Sequence, residues 1–201
     1  MKNKKIFSQF RKGKLDDFSG LINRAYKFAA YAHKNQKRKS GHDYMTHPVS
    51  IMNYLRSMDV DENILIAALL HDVIEDTSIS LEDIRELFNS EIAYMVYFLS
   101  KDSSNYFKNN DYRRAVYFNK LEAGFCFNYG IYLIKLVDRL HNISTMEALN
   151  TQRQQKTVKE TLTIFIPLFK KYFKVVPKKL SHYCEEIINH MEEIMKDYMS
   201  D

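Results

Sequence analysis

The sequence predicts an all-α bundle, on three observations. Its 201 residues include only 5 Gly and 3 Pro, too few for many short strands and tight turns. Apolar residues recur at three- and four-residue spacing along most of the chain. Hydrophobic residues make up 45% of it, enough for one sizeable core at this length.

The elements follow in order. Residues 1–16 read as a basic arm or a short first helix. From Asp17 to about Gln36, the residues Leu21, Ile22, Ala25, Phe28, Ala29 and Ala32 mark one helical face. KRKSGHDYMT breaks that pattern, and its Ser, Gly and Asp mark a loop. Pro48 suits the first position of the next helix, with His47 at the cap and an end near Met58. Asp61 caps a helix from Glu62 to about Glu75, apolar all round in its first part and so buried on most sides. Ser80 to Asp83 resembles a capping box for a helix to about Phe88. Another helix runs from Glu91 to about Ser100.

The polar stretch 101–110 reads as a mobile loop, and Tyr112 to about Glu122 as a helix. Residues 131–149 read as helical, although IYLIKLV fits a strand equally. Gln152 to Phe173 predicts a long helix that Pro167 kinks or splits. An amphipathic helix from Lys178 to Met199 ends the chain. The expected division is the arm at 1–16, a functional domain at 17–150, and helices at 151–201 completing the same core.

Composition narrows function only coarsely. A net charge of +5 suits an anionic ligand, a nucleic-acid surface or simply a soluble basic protein. Cys126 and Cys184 form no CxxC pair, which argues against a thiolate zinc site, and both read as buried thiols. The N-terminus lacks the apolar stretch of a signal peptide. No apolar run reaches the ~18 residues of a membrane helix. A cytoplasmic protein without a membrane partner is expected.

The chemistry concentrates in three places. ENILIAALLHDVIEDT ends a buried helix with His71, Asp72, Glu75 and Asp76, and the pairs four apart project from adjacent stripes of one face. Three carboxylates and an imidazole there carry a desolvation and repulsion cost that a divalent cation offsets. The plainer reading is a solvated acidic helix end. In LIKLVDRLHN, Asp138, Asn142 and Thr145 share a face, offering a carboxylate, an amide and a hydroxyl; the plainer reading is a half-buried Asp138 paired with Arg139. His47 alone reads as a cap. Together His47, His71, Asp72 and Asp138 make a mixed imidazole–carboxylate set, suited to Mn, Fe, Ni or Zn rather than Ca, with positions open for water and substrate.

AHKNQKRKSGHDYMTHP, AALLHDVIEDT and KLVDRLHNIST, in this order, resemble the hydrolase domain of RelA/SpoT-type proteins in the HD phosphohydrolase superfamily. The resemblance covers roughly residues 20–150 and implies an HD-domain helical bundle. It implies removal of the 3′-pyrophosphate from ppGpp and pppGpp, with Mn²⁺ held by His47, His71, Asp72 and Asp138. It casts Glu75 and Asp76 as the carboxylates that position or activate the attacking water. Arg38, Lys39, Ser40 and Tyr44 match the loop that holds the nucleotide, and Asn142 and Thr145 match contacts to its sugar and phosphates. The chain departs at Ser144, where many relatives carry a basic residue. It lacks room for the synthetase domain of the long members, and residues 108–130 look more like the short stand-alone hydrolases.

The residue chemistry agrees with this. Arg38 can stack on a purine face, Lys39 can neutralise phosphate, and a carboxylate can accept a water proton. Two rivals stand beside it. One keeps the fold and acts on another nucleotide, such as the 2′-phosphate of NADPH or an adenine alarmone. The other is a non-catalytic nucleotide- or nucleic-acid-binding module using Lys2 to Lys14 with Arg38 and Lys39; it leaves the ligand set unexplained, so a nucleic-acid partner is disfavoured. A homo-oligomer is compatible with the sequence.

Overall fold

A computed structural model describes residues 20–102 and 109–198. The expected basic arm, most of the expected loop at 101–110 and the end of the tail lie outside the described residues. Their helices are α1 (Gly20–Ala32), α2 (Thr46–Ser57), α3 (Glu62–Leu70), α4 (Val73–Asp76), α5 (Leu81–Leu87), α6 (Ser90–Leu99), α7 (Asn110–Phe127), α8 (Tyr129–Ser144), α9 (Thr151–Glu160), α10 (Ile166–Tyr172) and α11 (Ser181–Lys196). Among the described residues the only β pairing is an isolated bridge between Lys37 and Asp43.

Side-chain caps start most of these helices. Asp61, Asn89, Asn109, Asn128 and Asn150 each accept a first-turn amide, satisfying donors that have no partner inside the helix. Ser80 and Asp83 form the expected capping box. The stretch IYLIKLV is helical, within an α8 that buries all but four of its sixteen residues.

Three local expectations are corrected. The first concerns the start of α2, which begins at Thr46, so His47 lies inside the first turn and not at its cap. Asp43 causes this: its carboxylate accepts the Met45 amide at 2.8 Å and its carbonyl accepts the Thr46 hydroxyl at 2.7 Å, winding the chain early. The second concerns the helix expected at 62–75, which ends at Leu70 and resumes at Val73. His71 Nδ1 donates to the Ala68 carbonyl at 2.8 Å, engaging the acceptor that the Asp72 amide would need to continue the helix. Third, Cys184 is buried but Cys126 is exposed.

Pro167 does split its helix. A π turn, Thr161–Phe165, separates α9 from α10. Pro167 has no amide for the Thr163 carbonyl, and a widened turn absorbs the mismatch.

Every residue from Ile64 to Leu70 is buried, with α1, α2, α6 and α8 around α3. Helix α8 runs through the core against α2, α3, α6, α7, α10 and α11. Gly130 permits its approach to α3, since a Cβ there would lie 2.6 Å from Ile64. On the far side, Phe125, Tyr132 and Phe169 pack together, and the Tyr132 hydroxyl donates to the Phe169 carbonyl at 3.0 Å. The helices after residue 150 therefore close the core that α8 begins. None of the helices among the described residues is long and apolar enough to cross a membrane.

Candidate metal centre

The interruption between α3 and α4 makes the site. It turns His71 and Asp72 out of regular helix at the point where α2 and α8 pass. His47 Nε2 lies 3.2 Å from Asp138 Oδ1 and 3.8 Å from Asp72 Oδ2, and His71 Nε2 lies 3.2 Å from Asp72 Oδ2. Donor atoms of His47, His71 and Asp138 all fall within 4.8 Å of one another, a spacing that could hold a metal ion. The side chains of His47, His71 and Asp138 are 2%, 4% and 7% exposed, and that of Asp72 is 24% exposed. The group is thus closed on the α8 side and reached from solvent past Asp72.

The residues present fit a cation. His71 Nε2 is buried without a hydrogen bond of acceptable geometry, a costly state for a polar atom unless something else occupies its lone pair. Its Nδ1 is committed to the Ala68 carbonyl, which fixes the ring so that Nε2 faces the carboxylates. Two imidazoles and two carboxylates form a donor set for a first-row transition ion.

The plainer reading of Asp138 does not hold, because Arg139 is not its partner. Arg139 donates instead to Thr161, the Thr157 carbonyl and Glu160, and lies over the Phe165 ring. Asp138 is balanced by Lys135, whose Nζ sits 2.9 Å from Oδ2, while Asn142 donates to Oδ1 at 2.7 Å. Arg38 donates in turn to the Asn142 side-chain oxygen at 3.3 Å. This line of contacts runs from the buried carboxylate to the loop before α2.

That loop is a small hairpin. The Arg38 amide donates to the His42 carbonyl and the Gly41 amide to the Arg38 carbonyl. Gly41 has φ +82, a left-handed backbone that glycine adopts without steric cost. The turn places Lys39 and Ser40 at an exposed tip, and the Ser40 hydroxyl pairs with His42.

Tyr44 stands between the loop and the centre. Its hydroxyl contacts Asp76 and lies 3.1 Å from Asp72 Oδ2. Its ring stacks on buried His33 at 4.1 Å. His33 donates to the Gln36 side chain, which donates to the Asp76 carbonyl at 2.6 Å. The other acidic residue diverges. Glu75 accepts from the Lys101 amide at 2.9 Å and from its ammonium at 3.3 Å. Asp76 thus stays on the side of Asp72, its amide donating to the Asp72 carbonyl at 2.9 Å, while Glu75 is drawn off the face it was expected to share with His71. Thr145 also differs from a simple helical projection: its hydroxyl donates back to the His141 carbonyl.

Four contributors escaped the sequence reading: His33, Gln36, Lys135 and His141. Lys135 and His141 flank Asp138 at three residues on either side, so helical spacing alone was a usable signal. His33 and Gln36 carried none, because a tertiary stack and a backbone contact bring them in.

Burial drives His47 down from the ordinary imidazole value of 6.5, despite Asp138 beside it. His141 is lowered to about 2, through burial and the neighbouring His47. For His71, burial pulls down, but the charge of Asp72 leads the groups that outweigh it, and the value stands at about 9. Asp72 and Asp138 are held below the usual carboxylate range against their burial, chiefly by His71 and by Lys135 respectively.

A stability profile follows for the metal-free protein. Burial makes His47 and His141 harder to protonate in the folded chain than in the unfolded one, so below pH 6.5 stability falls as the pH falls. His71 works in the opposite window: its contribution is complete below pH 6.5 and is lost as pH rises to about 9. Thermal melts in chelator are expected to peak near pH 6.5 and decline on both sides, more steeply towards acid. A flat profile or a maximum above about pH 8 contradicts these assignments.

Comparison with known proteins places the chain in a family. The HD domain family profile matches residues 25–171. A Synechocystis protein named probable guanosine-3′,5′-bis(diphosphate) 3′-pyrophosphohydrolase is 40% identical over 148 residues, which are 74% of this chain and 20% of that protein. The bifunctional (p)ppGpp synthase/hydrolase SpoT of Escherichia coli K12 is 38% identical over 147 residues, covering 73% of this chain and 21% of SpoT. The chain therefore spans about a fifth of the length of these relatives. Among solved structures, a metazoan ortholog of SpoT, described as hydrolysing ppGpp, aligns with a TM-score of 0.64 at 24% identity, over 86% of this chain and 96% of that one; that likeness concerns the fold. With most of the helical bundle inside the matched span, the chain belongs to the HD domain family.

Proposed function

We propose that this chain is a metal-dependent phosphohydrolase that removes the 3′-pyrophosphate of guanosine alarmones, releasing GDP or GTP and pyrophosphate in the cytoplasm, with Mn²⁺ as its ion. The observation that carries the reading is the convergence of His47, His71, Asp72 and Asp138, three of them buried and one at the entrance. The names of the Synechocystis and E. coli relatives support the substrate.

His47, His71, Asp72 and Asp138 would hold the ion. When bound, it supplies a lowered pKa for water and polarisation of a phosphoryl oxygen. The remaining work falls to the chain. Asp76, at the entrance beside Tyr44, and Glu75, anchored by Lys101, orient the attacking water and take its proton. Tyr44 keeps the Asp76 carboxylate turned towards Asp72. The Arg38 guanidinium, steadied by Asn142, offers a flat cationic face to the base. Lys39 and Ser40 at the hairpin tip meet the phosphates, and Asn142 and Thr145 border the sugar.

The test is pyrophosphate release from ppGpp by purified protein with Mn²⁺, beside a panel containing NADPH and an adenine alarmone. The expected result is turnover of the guanosine alarmone, lost in Asp72→Ala. No turnover, turnover indifferent to Asp72, or a preference for another member of the panel overturns the proposal.

A further inference from the structure

His141 makes a contact that the proposed chemistry leaves unused. Its Nδ1 lies 3.0 Å from the Nδ1 of His47, with both rings buried and their centroids 4.7 Å apart at 63°. Two ring nitrogens at that distance need one hydrogen between them; otherwise two lone pairs face each other. One histidine therefore donates and the other accepts, and the choice sets the tautomer of both.

The far side of the His47 ring makes that choice consequential. Its Nε2 lies 3.2 Å from Asp138 Oδ1. If His141 donates, His47 Nδ1 is the acceptor and its proton sits on Nε2, aimed at the carboxylate. That arrangement suits a site without a cation and blocks one with it. If His47 donates, Nδ1 carries the hydrogen and Nε2 presents a bare lone pair towards Asp138, Asp72 and His71. A ligating histidine commonly donates its other N–H to a carboxylate or carbonyl; here a second imidazole stands in that place and can take either role.

We propose that His141 is a positioning residue. By accepting the Nδ1 hydrogen of His47, it commits that ring to offering Nε2 to the cation, and by donating instead it lets the empty site satisfy Asp138. The inference rests on the reading of His47 as a metal ligand and assigns His141 no contact with substrate. Since Asp138 and His141 lie one turn apart on α8, a single helix carries both a ligand and the group that sets the tautomer of another.

The experiment compares Mn²⁺ affinity, by calorimetry, in the unmodified protein, His141→Leu and His141→Asn, with melts in chelator as the check on folding. The leucine variant is expected to lose ~10–100-fold in affinity while still melting as a folded protein in chelator. The asparagine variant, whose amide reaches the same position and can accept a hydrogen bond, is expected to recover most of that loss. Unchanged affinity in a folded leucine variant overturns the proposal but leaves the metal centre standing; absence of Mn²⁺ binding by the unmodified protein overturns both. If the leucine variant fails to fold, ¹⁵N spectra of the ring nitrogens in the unmodified Zn²⁺-loaded protein decide. A protonated His47 Nδ1 facing a bare His141 Nδ1 supports the proposal, and any other arrangement overturns it.

Discussion

Asp138→Ala is expected to remove metal binding, reduce alarmone hydrolysis by ~10³-fold or more and cost ~3–5 kcal/mol of stability. The combined effect follows from what surrounds this carboxylate. Asp138 is 2.9 Å from the ammonium of Lys135, 3.2 Å from His47 Nε2 and 2.7 Å from the Asn142 amide. The Lys135 side chain is only 11% exposed, so losing its partner leaves a charge in the core, and such a charge is expensive. Stability and catalysis can be separated here. In a Lys135→Met, Asp138→Leu double variant no orphaned charge remains, so most of the stability is expected to return while metal uptake does not. Arg139→Ala is the contrasting case. Its guanidinium serves Thr161, Glu160 and the Phe165 face, so it should lower the melting temperature without changing metal content. Calorimetric metal titration with thermal melts on the three proteins tests this; a metal-competent double variant excludes Asp138 as a ligand.

The contrast between Asp138 and Arg139 also marks how far residue spacing reaches. Helix existence was legible where an apolar face met a capping residue, as at Asp61 and Ser80; in α8 it was open, because IYLIKLV fits a strand equally and the Asn128 cap went unread. So was the buried character of α3, because Ile64 to Leu70 contains no polar residue to turn outward. The four proposed ligands were legible as a group because imidazoles and carboxylates stand at the ends of apolar runs. What spacing could not show is where a helix stops being regular. The side chain of His71 takes the Ala68 carbonyl, and a face that a helical projection draws as continuous divides between Asp76 and Glu75. Ion-pair choice was equally hidden. Lys135 and Arg139 are both near Asp138 in sequence, and only the packing of the π turn against α8 draws Arg139 away. Gln36 and His33 enter through tertiary contacts that no local pattern encodes.

That division within the Glu75 and Asp76 pair leads to the second large effect. Asp76→Asn and Glu75→Gln are each expected to keep the metal and lose ~10²–10⁴-fold in kcat, in contrast to Asp138→Ala. Asp76 is held by the Tyr44 hydroxyl and Glu75 by Lys101, and neither carboxylate is paired with His47 or His71 as Asp72 and Asp138 are, so ion affinity should change little. The amides preserve volume but not a carboxylate's ability to take a proton from water. Their surroundings predict different secondary effects. Asp76 shares the Tyr44 hydroxyl with Asp72, so Tyr44→Phe should reproduce part of the Asp76→Asn loss while leaving metal content intact. Glu75 accepts the Lys101 amide at 2.9 Å, and its replacement also loosens the end of α6, which hydrogen exchange at residue 101 will register. Kinetics that place the loss in KM would reassign the pair to substrate binding, and loss of the metal in either variant would bring that carboxylate into the coordination set.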